Sequence, residues 1–133
     1  MLQQFALFAL VGAAGFLIDA GVLLLLAKLL GMNIYLARVI SWLAAATSTW
    51  RLNRTLTFAD HGAPLLRQWL MFLATNAGGG LINMGVSLGL IAARVGPVLA
   101  LACGALAGLL WNFLASRRFV FGNPARSDAP GTE

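Results

Sequence analysis

The sequence predicts an all-α integral membrane protein, with four transmembrane helices arranged as two parallel-topology two-helix repeats. Three observations predict it. The 133 residues are 60% hydrophobic and 10% charged, with a mean hydropathy of +0.86. Soluble domains carry about 25% charged residues, so polar surface is too scarce here to wrap a water-soluble globule. Four apolar runs are separated by short polar breaks. Finally, the stretch 49–58, which closes the second run, returns sixty-three residues later at 112–121. Asn53-Arg54 and a closing Phe58 in the first copy become Ser116-Arg117 and Phe121 in the second.

The first run, residues 5–30, contains only Asp19 and Lys28 as ionisable groups. It exceeds the roughly 20 residues that cross a hydrocarbon core, with some allowance for tilt. No Lys or Arg precedes it in Met1-Leu2-Gln3-Gln4, so it reads as a retained helix and not as a signal peptide. Gly31-Met32-Asn33 makes a tight break, and the second run extends from 34 to about 50 with Arg38 near its start. The linker 59–64, Ala59-Asp60-His61-Gly62-Ala63-Pro64, carries turn chemistry. Its His61 reads as a solvated loop residue, since the chain has 1 His and so no second one to share a metal. Arg67 and Trp69 open the third run, 65–93; Arg94-Val95-Gly96-Pro97 breaks it, and the fourth covers 98–115. Residues 123–133 read as a disordered cytoplasmic tail. The organisation is thus a single membrane domain, 1–122, with repeat one at about 4–58 and repeat two at about 65–121.

A shift of sixty-four lays Gln4 on Gln68, Phe8 on Phe72, Gly12 on Asn76, Gly15 on Gly79 and Asp19 on Asn83. One residue is then dropped, and Ala37 meets Ala100. Two crossings per half return the chain to the side it left, so the repeats are parallel, related by an axis along the membrane normal. Arg51, Arg54, Arg67, Arg117, Arg118 and Arg126 fall on the side of the termini; Lys28, Arg38 and Arg94 fall on the other. That bias places both termini in the cytoplasm. It also accounts for the net charge of +5 and the pI of 11.2 without nucleic acid, because the cations sit at run ends and not on a basic patch. Trp42, Trp50, Trp69, Trp111 and Tyr35 read as interfacial anchors, mostly near helix ends. Cys103 is the only cysteine, so no intrachain disulfide forms.

Asp19 is the one acid inside a predicted span. A charge at that depth costs at least about 2.5–3.5 kcal/mol, so it must face the bundle, be paired, or be protonated. Gly12 and Gly15 share its helical stripe, as Asn76 and Gly79 share that of Asn83. One reading makes Asp19, Asn83 and Asn76 a polar path for a translocating headgroup; the other has them only hydrogen-bond helices together. Gly78-Gly79-Gly80 lacks the strand and the Lys-Ser/Thr ending of a phosphate loop and reads as helix packing. Gly104 and Gly108 form a G-x-x-x-G packing pair. Arg54 and Arg117 offer planar, always-charged donors suited to phosphate oxygens, and basic pockets between helices bind lipid headgroups. With Asn53, Ser116, Asn112, Arg51 and Arg118 around them, they are the candidate lipid-phosphate site; positive-inside anchoring is the plainer alternative. There is no catalytic triad, metal constellation or nucleotide motif, so neither a cofactor nor an enzymatic activity is expected.

On these residues the chain resembles the GtrA-like family of small bacterial membrane proteins. The likeness covers 5–121 and rests on Phe8, Val11-Gly12, Asp19, Leu30-Gly31, Ala37 and Asn53-Arg54-x-x-x-Phe58. In the second half it rests on Phe72, Asn83, Gly96 and Asn112-Phe113-x-x-Ser116-Arg117-x-Phe119-Val120-Phe121. Trp50 stands where the family usually has Phe. The resemblance implies a translocase (flippase) for polyprenyl-phosphate-linked sugars, or for polyprenyl phosphate, in the bacterial inner membrane. It would work beside a membrane glycosyltransferase in cell-surface polysaccharide synthesis, and a chain this small is expected to form a homo-oligomer among membrane lipids. Two alternatives are a small multidrug exporter, whose acid is a Glu and which lacks the duplicated Asn/Ser-Arg ending, and a non-transporting anchor for a glycosyltransferase.

Overall fold

A computed structural model describes residues 1–59 and 62–122. The readings of His61, of Arg126 in the charge count and of the tail 123–133 lie outside the described residues. Helix α1 spans Leu2–Leu24 and runs on as a π-helical turn, Leu25–Leu29. Gly31, at φ +63, turns the chain. Asn33 then caps α2, its Oδ1 accepting from the backbone N–H of Tyr35 at 3.0 Å and Leu36 at 3.4 Å. Helix α2 covers Ile34–Leu52 and continues as a second π turn, Asn53–Thr57. Helix α3 is Leu65–Ala92, and α4 is Pro97–Ala115, with Pro97 in the first turn where its missing N–H costs nothing. A third π turn, Ser116–Val120, closes α4.

The sequence ends the second and fourth helices before the repeated motif; the structure winds the motif itself into the helix end. Both copies are π turns at the same repeat position, closed by Phe58 N–H to Asn53 O (2.9 Å) and Phe121 N–H to Ser116 O (2.8 Å). A π turn takes in one more residue than an α turn, which re-aims the side chains that follow.

Helix α1 packs on α2 and α3 on α4, as two antiparallel hairpins that meet through α2–α3 and, more thinly, α1–α4. The outer surface is apolar, with Leu10, Phe16, Leu17, Leu81, Leu88, Leu106 and Leu110 all exposed. Residues 2–29 and 97–120 are long and apolar enough to cross a membrane, yet only 11% and 28% of their most apolar windows are buried. A soluble core helix would be mostly buried, so these helices face lipid. Helices α2 and α3 fall short of that measure alone because they carry the polar groups of the interior. Ser41, Asn53, Gln68 and Ser116 are each at most 2% exposed. The apolar-out, polar-in distribution inverts that of a soluble domain.

An aromatic cluster fills the end of the bundle that holds the N-terminus and the two copies of the repeated motif. It comprises Phe8, Trp50, Phe72, Phe113 and Phe121, with Phe5 and Phe58 against them. The closing phenylalanines of the two motifs, Phe58 and Phe121, stack at 4.6 Å and 13°. Phe8 meets Phe58 edge-on at 6.3 Å, and their counterparts Phe72 and Phe121 meet edge-on at 6.1 Å. The two halves thus touch at matching residues. Trp50 is buried at 8% exposure inside this cluster, so it is a core residue and not the interfacial anchor that its position suggests.

Candidate functional site

The site begins at the π turn that ends α2. Asn53 is 2% exposed and accepts from Thr57 Oγ1 at 2.8 Å, a bond across the turn that holds its amide inward. Arg54 follows, 9% exposed. Its Nη1 donates to Gln68 Oε1 of α3 and to the Ala63 carbonyl at 3.4 Å, and its guanidinium lies 6.0 Å from the centre of the Trp50 ring. Gln68 Nε2 in turn donates to the Val120 carbonyl at 3.4 Å. One buried glutamine therefore ties the arginine of the first motif to the backbone of the second.

No carboxylate pairs with Arg54 among the described residues, whose one ion pair is Arg38 with Asp19. A buried guanidinium without a counter-charge is costly. Trp50 Nε1, Ser116 Oγ and Asn112 Oδ1 are also buried, with no hydrogen-bond partner among the described residues. Such groups are rare in folded proteins and call for a ligand or water. All three belong to the repeated motif or its last helical turn.

The two arginines of the repeat are not equivalent. Arg117 is half-buried and Arg118 and Arg51 are exposed, and none of the three guanidiniums has a hydrogen bond or ion pair among the described residues. Arg54 is held from within; among the described residues nothing holds the Arg117 guanidinium. The expected paired cradle becomes one fixed arginine and one available arginine.

Asp19 lies 2.5 Å from Arg38 Nη1 and accepts from Ser41 Oγ at 2.6 Å, both on α2. Asn83 accepts from Ser87 Oγ at 3.2 Å and packs where a Cβ at Gly104 would collide with it. Ser41 and Gly104 occupy corresponding positions of the repeats, so each polar group is satisfied or packed inside its own hairpin. Asp19 and Asn83 are thus held in separate hairpins.

A part-open cavity of about 240 Å³ lies between the hairpins. Asp19, Asn76, Asn53 and Asn112 line it, together with Thr49, Trp42, Phe16, Phe8 and Phe72. It joins two members of the expected path, Asp19 and Asn76, to two members of the expected phosphate site, Asn53 and Asn112. Asn83 is not in its lining. Asn76 Nδ2 donates to the Phe72 carbonyl at 2.9 Å, which leaves its carbonyl oxygen for the cavity.

Sequence reasoning missed four residues here. Gln68 was visible only as the repeat mate of Gln4. Arg38 and Ser41, three apart on one face of α2, carried the signal for an acid partner. Trp42 stands far from both ends of α2 and lines the cavity, where an anchor would sit at the interface.

A family model described as GtrA/DPMS, transmembrane domain, matches residues 7–128. No curated protein matches the chain.

Proposed function

The chain belongs to the GtrA/DPMS transmembrane-domain family, and from that premise we propose that it moves a polyprenyl-phosphate-linked monosaccharide, or polyprenyl phosphate itself, across the bacterial inner membrane. The observation that carries the reading is Arg54, buried without an acid partner among the described residues, in a repeated motif whose two copies also hold the unpartnered Trp50 Nε1, Ser116 Oγ and Asn112 Oδ1. A lipid phosphate supplies what this end of the bundle lacks. Arg117 captures the phosphate from the inner leaflet, and Ser116, Asn53 and Asn112 complete the hydrogen bonding, with Arg51 and Arg118 raising the local positive potential. The prenyl tail stays in lipid along the apolar outer face. Both termini are cytoplasmic, no bond is made or broken, and a membrane glycosyltransferase on the far side uses the delivered lipid. Asp19, tied to Arg38, is not the free carboxylate that a proton-coupled drug exporter needs.

The test is flipping of a fluorescent polyprenyl phosphate in liposomes that contain the purified protein and no enzyme. Wild type is expected to expose the label to an external quencher within the assay, and an Arg54→Ala, Arg117→Ala double variant that remains folded is expected not to. Full activity in that variant defeats the phosphate site. No flipping by folded wild type favours the anchor reading.

A further inference from the structure

We propose that the cavity between the hairpins is a subsite for one sugar ring, with Trp42 as its stacking platform and Asp19 as its hydroxyl acceptor. The proposal rests on the translocase reading and adds where the sugar is held and by what. Four observations support it.

The first is the divergence of the two repeats. Where repeat one has Phe16, Ser41, Trp42 and Ala45, repeat two has Gly80, Gly104, Ala105 and Gly108. In the second hairpin Gly104 and Gly108 let the backbones close up. A Cβ on Gly108 would lie 2.7 Å from the Gly79 carbonyl oxygen, and one on Gly104 would strike Ser87 and Asn83. The first hairpin keeps its bulk, and the cavity forms against it. Of the three aromatics present in repeat one and absent from repeat two, Phe16, Tyr35 and Trp42, two line that cavity, Phe16 and Trp42.

The second is the type of wall. A pyranose has an apolar face of C–H bonds and an edge of hydroxyls. Indole and phenyl rings match the face, with an apolar body for contact. A carboxylate and primary amides match the edge, because between them they accept and donate. A mostly apolar cavity with a few convergent polar groups is the usual form of a small-molecule site.

The third is unused capacity. Each Asp19 oxygen already accepts one bond, from Arg38 or Ser41, and has a further lone pair. Asn53 Nδ2 and Asn76 Oδ1 have no partner among the described residues. These groups converge from three helices, so they orient a ring and not merely attract it.

The fourth is size and access. The 240 Å³ cavity holds about eight waters' share of liquid volume, enough for one six-membered ring. Phe16, 70% exposed, sits at its lipid-facing rim. A ring can occupy the cavity while its lipid carrier stays outside.

The experiment compares binding of farnesyl phosphate with that of farnesyl-phosphate-linked glucose, galactose, mannose and N-acetylglucosamine to purified protein in nanodiscs. At least one glycosylated lipid is expected to bind wild type about tenfold more tightly than the sugar-free phosphate, an advantage of 1.4 kcal/mol. Trp42→Ala is expected to remove that advantage and leave sugar-free binding unchanged, and Trp42→Phe to restore most of it. If Trp42→Ala does not fold, Phe16→Ala, at an exposed rim position, is expected to reduce the advantage about threefold. Equal binding of sugar-free and all glycosylated lipids, or a Trp42→Ala loss shared by both, overturns the subsite and leaves the phosphate reading standing. Binding of none of the lipids by folded protein overturns both.

Discussion

Replacing Arg38 is expected to harm the protein more than replacing Asp19, although Arg38 is the more exposed of the pair. Side-chain exposure is 18% for Asp19 and 54% for Arg38. Arg38→Gln leaves a carboxylate inside the bundle with Ser41 as its main donor. An acid at the bilayer centre costs about 2.5–3.5 kcal/mol; the part-open cavity admits some solvation, so about 2 kcal/mol is expected, roughly thirtyfold in the folding equilibrium. Asp19→Asn keeps an oxygen to accept from Ser41 Oγ, and the released arginine, already half outside, extends along its alkyl stem to the headgroups. That change is expected to cost about 1 kcal/mol, the worth of one charged hydrogen bond exchanged for a neutral one. The double variant should match Asp19→Asn alone, because removing the carboxylate removes the reason for needing the guanidinium. Equilibrium unfolding in mixed micelles, followed by far-ultraviolet circular dichroism, gives the four stabilities of the cycle. Arg38→Gln indistinguishable from wild type, or Asp19→Asn more damaging than Arg38→Gln, would refute the reasoning that the arginine is there for the acid.

Two further predictions concern packing and orientation. Gly108→Ala puts a Cβ 2.7 Å from the Gly79 backbone oxygen and 3.1 Å from Asn83 Cβ, with no flexible side chain to yield; a loss of about 1–3 kcal/mol is expected in the same unfolding assay. Gly80→Ala, with nothing within 4 Å, should be neutral or gain up to about 1 kcal/mol of helix propensity, and equal losses at the two sites would contradict the close α3–α4 approach. Alkaline phosphatase fused after residue 133 is expected to be inactive and a fluorescent protein fused there to be bright; an active phosphatase would reverse the assigned orientation.

Much of the fold was legible because membrane insertion constrains composition so strongly. Long apolar runs with one or two charges read as spans, and the second Asn/Ser-Arg ending marked the number of halves. The helix ends were less legible. Nothing in the local residue pattern separates a helix that stops at Trp50 from one that continues through Thr57 as a π turn, because the continuation is held by backbone bonds, such as Asn53 N–H to Trp50 O and Phe58 N–H to Asn53 O, that any residue types can make. The site residues were found by type, and their inequivalence was not. Arg54 and Arg117 have near-identical local surroundings in the sequence; what separates them is Gln68, which reaches Arg54 from another helix. Trp42 was assigned to the interface because tryptophan in membrane proteins usually sits there, and only its place on the cavity wall shows otherwise.

The two halves have come to do different work, and the glycines show why. In repeat two, Gly79, Gly104 and Gly108 each hold a position where a Cβ would meet α3 or α4, so that hairpin is closed by packing. In repeat one only Gly15 is so confined, against Thr49, while Ser41 and Ala45 hold the helices further apart and Asp19 brings in a cation to be satisfied. A symmetric pair of tight hairpins would have no interior space; a symmetric pair of loose ones would bury two acids. Asymmetry in a handful of side chains resolves this. One hairpin acts as a rigid wall, the other carries the polar groups, and the cavity lies between them. It follows that exchanging the glycines of repeat two for the larger residues of repeat one should not create a second cavity. The extra bulk would meet Asn83 and Gly79, and the bundle would lose the wall against which the cavity is formed.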